Sequence, residues 1–135
     1  MKKYFKILFA LPVVLTVWMG CSDDLPIDED GLLITRRGQC YVSNFDLLGT
    51  DFLTVVNGGT LLIDTTEQTI AVQVAFGTDL RNLYPVFTLV TDAKLDPKIA
   101  GKTDFSDLAN PKQYTVISGN RKVRKTYTIN ITVQP

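Results

Sequence analysis

The chain has 135 residues, and its 14 lysines and arginines balance 14 aspartates and glutamates, so the formal net charge is zero. A chain of this length builds one modest hydrophobic core, and a balanced charge does not favour binding to nucleic acid. The sequence contains no histidine, which is the commonest general base and metal ligand. We therefore predict a protein that is not an enzyme and that uses no cofactor.

The first twenty residues have the pattern of a lipoprotein signal peptide. Three lysines precede an uncharged run from Ile7 to Trp18, which is shorter than the roughly 20 apolar residues of a membrane-spanning helix. Gly20 lies directly before Cys21, and such signals are cut between a small residue and a cysteine that then carries lipid. We predict a lipid anchor on Cys21, at the outer membrane and exposed on the cell surface. An ordinary secretory signal or an uncleaved anchor is the alternative.

An acidic stretch follows the cysteine. Residues 21–30 contain five acidic side chains, one proline and few apolar residues, a composition typical of a flexible tether. The stretch resembles the acidic export tag that follows the lipidated cysteine in surface lipoproteins of Bacteroidetes. Without residues 1–20 the chain carries 11 positive and 14 negative groups, and five of those acids lie in the tether, which leaves residues 31–135 slightly basic.

Residues 31–135 are predicted to form a single all-β domain. Runs rich in Thr, Val, Ile, Tyr and Phe are interrupted about every 8 to 12 residues by Gly, Asn, Asp or Pro, as in sandwiches and barrels. In the last run, Tyr127, Ile129, Ile131 and Val133 alternate with polar residues, which predicts one buried and one solvated face. Hairpin turns are predicted at 57–59 and 118–120, and a short turn at 78–83. Strands are predicted over 31–37, 40–46, 52–56, 60–64, 69–76, 85–90, 112–118 and 123–133.

Two groups of side chains are candidate ligand-binding sites. Four cations cluster at the final hairpin, where they could bind an anion or simply form a solvated turn that discourages pairing between sheet edges. These are Arg121, Lys122, Arg124 and Lys125. Tyr41 and Tyr84 could stack on sugar rings, although packing in or beside the core is the simpler interpretation, whereas alternation points Tyr114 and Tyr127 inward.

Three other features have weaker functional interpretations. Residues 91–111 form the longest irregular segment, and its aspartates could hold calcium or merely belong to a loop between sheets. Their spacing matches no established calcium loop, so we predict no metal site. Cys40 is expected to be a small buried residue, with an intermolecular disulfide as the alternative. Asp104 is expected to cap a turn beside a buried Phe105.

The stretch from Ile63 to Val133 resembles the immunoglobulin-like domain repeated in surface lipoproteins of gut Bacteroidetes, the type that precedes carbohydrate-metabolism domains. The resemblance is carried by FGTDL at 76–80, LYP at 83–85, TDFS at 103–106, YTVIS at 114–118 and KTYTI at 125–129. Here Gly119-Asn120-Arg121-Lys122 replaces the usual Asp-Gly turn, and the larger second domain does not follow. The resemblance implies an immunoglobulin-like antiparallel β-sandwich, and it implies no reaction.

Three functions remain open from the sequence. The first is a non-catalytic surface module, an accessory or spacer in a glycan-binding and uptake system. It would be held to the membrane by its lipid, with a glycan or other surface proteins as partners. The second is a structural or adhesive subunit that joins other surface proteins through β-strand pairing. The third is a small hydrolase acting through carboxylates, for which these spacings define no pair.

Overall fold

The computed structural model describes residues 26–56 and 60–135, and over these residues the protein is all β. The predicted signal peptide, Cys21 and the turn predicted at 57–59 lie outside the described residues. Within them, no helix is long and apolar enough to cross a membrane. The strands are β1 (Val42–Leu48), β2 (Leu62–Asp64), β3 (Thr69–Val74), β4 (Tyr84–Leu89), β5 (Lys94–Asp96), β6 (Gln113–Ile117) and β7 (Arg124–Val133).

The strands form two sheets that face each other across the core. One sheet has two strands, β1 and β4, and the other has five in the order β2-β3-β7-β6-β5. This confirms the predicted all-β, two-sheet architecture. One pair departs from the antiparallel expectation, because β3 and β7 run parallel with Ile70 opposite Ile129. A parallel pair needs a long crossover connection, and here the chain passes through β4 of the other sheet between them.

The predicted alternation places the core correctly. Ile70, Val72 and Val74 of β3 are buried, as are Tyr127 and Ile129 of β7. Tyr114, Val116, Phe45, Leu47 and Phe105 complete the centre of the core. Only Val133, at the end of the alternating run, is partly exposed. The sandwich is therefore held together by inward side chains from both sheets.

Two predicted strands are absent, and one strand lies where a loop was predicted. Residues 31–37 form no strand, and Leu33 pairs only with Ile27. Residues 52–56 make single bridges to both sheets, through Thr54 to Leu48 and Val56 to Val74. This segment turns the corner between the sheets instead of extending either one. Conversely, β5 lies within the predicted irregular segment 91–111 and pairs with β6.

Candidate functional site

The acidic segment near the N-terminus is bound to the folded domain. Oδ2 of Asp28 accepts hydrogen bonds from Lys94 Nζ at 2.7 Å and from Arg121 Nε at 3.0 Å. The Asp28 side chain is only 4% exposed. We call Asp28, Lys94 and Arg121 the N-terminal clasp. Residues 26–30, the described part of the predicted flexible tether, are therefore a folded segment, because the domain supplies two cations that a sequence reading leaves in solvent.

The segment is shaped for this contact by a tight turn. Oδ1 of Asp28 accepts the backbone N–H groups of Asp30 at 3.0 Å and Leu32 at 2.9 Å. Gly31 has φ of 77°, a conformation that glycine adopts without steric cost. The N–H of Ile34 then donates to the Pro26 carbonyl at 2.7 Å and closes a small loop. One carboxylate thus folds its own segment and also docks it.

The clasp remains charged at neutral pH. The hydrogen bond from Lys94 holds the pKa of Asp28 well below its usual range, and Arg121 acts in the same direction. Asp28 and then Asp30 raise the pKa of Lys94. Asp30, in turn, has a pKa lowered by hydrogen bonds from Lys94 and Lys98. Each acid and base therefore stabilises the ionised form of its partner.

The four cations of the final hairpin do not converge on one site. Arg121, besides its bond to Asp28, donates to the carbonyls of Ser118 at 2.9 Å and Leu33 at 3.2 Å, so it is a structural residue. Lys122 is exposed at the turn. Arg124 and Lys125 are successive residues of β7 and point to opposite faces of the sheet. This geometry gives no shared anion-binding tip.

The hairpin itself confirms the turn predicted at 118–120. The N–H of Ser118 bonds the Val123 carbonyl at 2.9 Å, and the Asn120 side chain accepts the Lys122 N–H at 3.0 Å. The residue in the left-handed region is Arg121, with φ of 61°. Its guanidinium is mostly withdrawn from solvent, where it bonds Asp28 and the carbonyls of Ser118 and Leu33.

Gly119→Ala is expected to lower the free energy of unfolding by roughly 1 to 3 kcal/mol, the usual cost of overpacking. A Cβ at Gly119 would lie 2.5 Å from Thr35 Oγ1 and 2.9 Å from Asp92 Cβ. Relieving those contacts would also strain the bond from the Thr35 N–H to the Gly119 carbonyl, now 2.9 Å. Urea denaturation tests this. Gly38→Ala is the control for loss of a glycine, since Gly38 has no positive φ and its added Cβ would meet only the Asn120 side-chain amide, at 3.3 Å.

Three aspartates of the irregular segment 91–111, for which calcium binding was the weaker interpretation, have protein partners. Asp92 pairs with Arg37 at 3.2 Å, and Asp107 bonds the Asn110 amide at 3.0 Å. Asp104 accepts the Ser106 N–H at 2.8 Å, which confirms the predicted cap beside buried Phe105. Throughout the described ranges, no group of three or more His, Cys, Asp or Glu residues could hold a metal ion.

Cys40 is a buried thiol, as predicted. Its S–H donates to the Val116 carbonyl at 3.1 Å. Burial raises the pKa of the thiol, which disfavours the reactive thiolate. Both observations support a packing role within the core.

Two aromatic rings in contact, exposed Phe52 and half-buried Tyr84, lie on the outer face of the β1–β4 sheet. Phe52 is 63% exposed, and its ring centroid lies 4.9 Å from that of Tyr84, with 32° between the planes. In register, Tyr84 is opposite Leu48 and Val86 is opposite Asp46 on the same outer face. We call these four residues together with Phe52 the aromatic face. Sequence reasoning found Tyr84 but placed Phe52 inside a strand.

Tyr41, the other predicted tyrosine, belongs to the opposite end of the same ladder. Its carbonyl accepts the N–H of Val90 at 3.1 Å, beyond the last residue of β4, whereas Tyr84 is the first residue of that strand. Its side chain is 37% exposed. The structure therefore does not bring Tyr41 and Tyr84 into one site.

Phe52 is held outward by a strained turn. Its φ is 59°, and the left-handed region costs an ordinary residue roughly 1 to 2 kcal/mol. The turn is closed by bonds of 2.9 Å from the Phe52 N–H to the Gly49 carbonyl and from the Gly49 N–H to the Leu53 carbonyl. Asp51 Oδ1 also accepts the Leu53 N–H at 3.1 Å. The turn residues Gly49-Thr50-Asp51 were the available sequence signal for this loop.

A cleft of about 180 Å³, lined by both polar and apolar residues, adjoins the same loop. Thr50 and Asp51 line it from the loop, and Thr78, Asp79 and Asn82 line it from the turn predicted at 78–83. Asp79 accepts the Asn82 side-chain amide at 2.7 Å and the Arg81 N–H at 3.1 Å. These two bonds lower the pKa of Asp79, so it is ionised at neutral pH. The cleft thus presents carboxylate, hydroxyl and amide groups next to the loop that carries Phe52.

Comparison with protein families identifies this domain. The family described as "SGBP, N-terminal" matches residues 51–131, which is more than half of the chain. The chain belongs to this family. The match confirms the expected link to surface proteins of Bacteroidetes glycan-binding systems, and the immunoglobulin-like type of the sandwich stays a prediction. The SGBP N-terminal range includes Phe52, Tyr84, Lys94 and Arg121, whereas Asp28 precedes it.

Solved structures from Bacteroides share the fold. A candidate glycoside hydrolase of Bacteroides thetaiotaomicron is 29% identical, with a TM-score of 0.58 over 71% of this chain. The chain spans only 25% of that protein's length. A candidate secreted protein of Bacteroides fragilis is 13% identical, with a TM-score of 0.52 over 72% of this chain and 97% of its own. A DUF4623 family protein of Bacteroides eggerthii is 19% identical, with a TM-score of 0.53 over 72% of this chain and 22% of its own. No curated protein matches the chain.

Proposed function

We propose that this protein is a non-catalytic, lipid-anchored module of a Bacteroidetes surface glycan-binding system, where it serves as an accessory or spacer domain. The observation that carries the proposal is its membership in the SGBP N-terminal family over residues 51–131. The aromatic face and the polar groups of the adjoining cleft agree with such a role. Ligand sites commonly combine apolar surfaces with a few precisely placed polar groups. Cys21 is the proposed lipid attachment site, at the outer membrane.

The N-terminal clasp limits how far this domain extends from its anchor. Asp28 is fixed to the domain through Lys94 and Arg121, and it follows Cys21 by seven residues in the sequence. A fully extended chain covers at most about 3.6 Å per residue, so Cys21 lies within roughly 25 Å of Asp28. A lipid on Cys21 would therefore hold the domain close to the membrane surface.

The sheet edges argue against the alternative role as a strand-pairing subunit. The outer strands of the large sheet, β2 and β5, have three residues each, and Pro97 follows β5 directly. In the small sheet, β4 contains Pro85. Short edges and prolines discourage the addition of another strand. The edges of the large sheet and of β4 thus favour the accessory module, and residues 54–55 cover one end of the β1 edge.

Cys21→Ser is expected to release the protein from the membrane fraction of a Bacteroides host. A serine cannot form the thioether that carries the lipid, and lipid contributes about 0.8 kcal/mol per buried methylene to membrane binding. Immunoblotting of membrane and soluble fractions tests this. Cys40→Ser, which changes a buried thiol, is the matched control and should stay with the membrane. Retention of Cys21→Ser in the membrane fraction would contradict lipid anchoring at this residue.

The assignment to a glycan-binding system is tested by its neighbours on the cell. We expect crosslinking on intact cells grown on polysaccharide to recover outer-membrane proteins that bind or import glycans. External protease should also remove the domain from those cells. Recovery of periplasmic proteins alone, with the domain protected from protease, would refute the proposed function whether or not the purified protein binds sugar.

A further inference from the structure

We infer that the aromatic face is a binding site for a neutral polysaccharide. A sugar ring would stack on Phe52 beside Tyr84, and the sugar hydroxyls would bond the polar groups of Asp46, Asp51, Asp79 and Asn82, which we call the polar border. This inference rests on the proposed function and adds to it a location and a class of ligand. It begins from the paired rings on the outer face of the β1–β4 sheet. No described element covers Phe52, which remains 63% exposed.

The two rings are suited to bind a pyranose. A sugar ring has an apolar face of C–H groups, and aromatic rings bind such faces while leaving the sugar's edge free to form hydrogen bonds. Tyr84 supports the Phe52 ring at 4.9 Å and restricts its rotation. Phe52 also occupies a left-handed backbone conformation, so exposing this ring lowers the stability of the fold. Strain of this kind is concentrated at binding and catalytic sites.

Polar groups border the rings on two sides. Next to Val86, Asp46 Oδ1 accepts the Thr54 hydroxyl at 2.5 Å. On the loop that carries Phe52, Asp51 opens onto the cleft that Asp79 and Asn82 also line. Carboxylates accept hydrogen bonds from sugar hydroxyls, and the asparagine amide can both donate and accept. The border therefore complements the edge of a sugar that stacks on Phe52.

The charge of this border selects among glycans. Asp46 places a carboxylate on the aromatic face, and Asp51 and Asp79 place two more on the adjoining loop and cleft. The cation Arg81 acts on Asp79, and Asp104 opposes its effect. A uronic acid or sulfate would meet net negative charge here, and like charges repel. A neutral polysaccharide meets hydrogen-bonding groups without this repulsion, and it is the ligand that these residues favour.

Affinity electrophoresis of the detergent-extracted, full-length protein tests the inference. The gels contain neutral polysaccharides (galactomannan, arabinoxylan, mixed-linkage β-glucan) or acidic ones (polygalacturonate, chondroitin sulfate). We expect retardation by a neutral polysaccharide, and Phe52→Ala should weaken it about tenfold or more, as for a stacking residue at the centre of a site. Tyr41→Ala is the matched control, since it removes a partly exposed aromatic at the far end of the same sheet, and it should be retarded like the wild type.

A second variant separates binding from folding. Phe52→Gly removes the ring and also relieves the left-handed backbone at this position, so its urea midpoint should equal or exceed that of the wild type while retardation is lost. Retardation unchanged in both Phe52 variants would place the glycan elsewhere and overturn this site, while the proposed function stands. Retardation only by acidic polysaccharides, or by none, would overturn the inference. Self-association lost in Phe52→Ala, without retardation, would assign the face to a second copy and overturn it too.

Discussion

Leu47→Ala is expected to lower the free energy of unfolding by about 3 kcal/mol, within the range of 2 to 5 for buried leucines. Leu47 lies in β1, is 0% exposed and faces the core from the smaller sheet. The Leu47 backbone is also held on both sides. Its carbonyl accepts the Val55 N–H at 2.9 Å, and Leu47 lies opposite Pro85 in β4. Truncation leaves a cavity that this fixed backbone can only partly close.

A two-stranded sheet makes the loss severe. Among the described residues, β4 is the only strand that pairs with β1. Two strands alone are marginally stable in water, so β1 depends on packing against the large sheet. Urea denaturation of the full-length protein measures the effect. Leu62→Ala is the matched control, since this leucine of β2 is 67% exposed and its truncation should change stability by no more than about 0.5 kcal/mol. Equal losses in the two variants would contradict the assigned core.

The large sheet could be predicted from sequence because its signal is local. In β3, β6 and β7, more buried and less buried residues alternate with period two. This alternation can be recognised from the types of residues that are adjacent in sequence. Tyr114, Tyr127 and Ile129 were identified as inward-facing by that rule, and all three are buried. The parallel pairing of β3 with β7 was missed, since alternation fixes which face is buried and not which strand is the neighbour.

The N-terminal clasp could not be predicted because its partners are remote in sequence. Arg121 and Asp28 are separated by 93 positions, and each lies among other charged residues that resemble a solvated stretch. Whether a charge stays in water is decided by what the fold brings next to it. The interpretation of Arg121 as part of an anion-binding tip was therefore wrong in its geometry, while the hairpin around it was correct.

Of the two rings of the aromatic face, Tyr84 was a candidate from the sequence and Phe52 was not. Tyr84 begins an apolar strand, and its aromatic side chain marked it as a candidate. Phe52 opens the run 52–56, whose apolar residues resemble a strand. A positive φ at phenylalanine has no signature in residue type, and only the preceding Gly49-Thr50-Asp51 indicated a turn. The run instead connects the two sheets, which releases its first residue to the surface.

Asp28→Asn is expected to undock the N-terminal segment. Asparagine keeps an oxygen for the N–H of Leu32 but removes the charge that Lys94 and Arg121 share, and both cations are mostly withdrawn from solvent. Removing one member of such a group leaves the remaining charges uncompensated, which is strongly unfavourable. We expect amide exchange at Leu32, Ile34 and Thr35 to accelerate by about tenfold or more, since local opening sets these rates.

Hydrogen exchange followed by mass spectrometry measures this difference. Glu29→Gln is the matched control, because it removes the same charge from the next position. The Glu29 side chain is 83% exposed and lies 3.6 Å from Lys94, so exchange should stay near the wild-type rate. Acceleration in Glu29→Gln equal to that in Asp28→Asn would show that overall charge holds the segment, and not the bonds of Asp28.

The pH dependence of the same two proteins gives an independent test. The folded pKa of Asp28 is depressed below its ordinary value of 3.8, so folding favours the ionised carboxylate. Its contribution to stability is complete above about pH 4 and declines as pH falls through 3.8 toward the folded pKa, because the unfolded chain then binds a proton that the folded chain does not. The stability difference between wild type and Asp28→Asn should thus be constant from pH 7 to pH 5 and shrink below pH 3.8. Asp79 and Asp104 also have lowered pKa values but lie outside the undocked segment, so they cancel in this difference. Asp30 shares Lys94 with Asp28 and is expected to lose its lowered pKa on undocking, so it makes the difference shrink over the same pH range. A difference that persists unchanged at pH 2 would mean that the carboxylate's charge contributes nothing to the clasp.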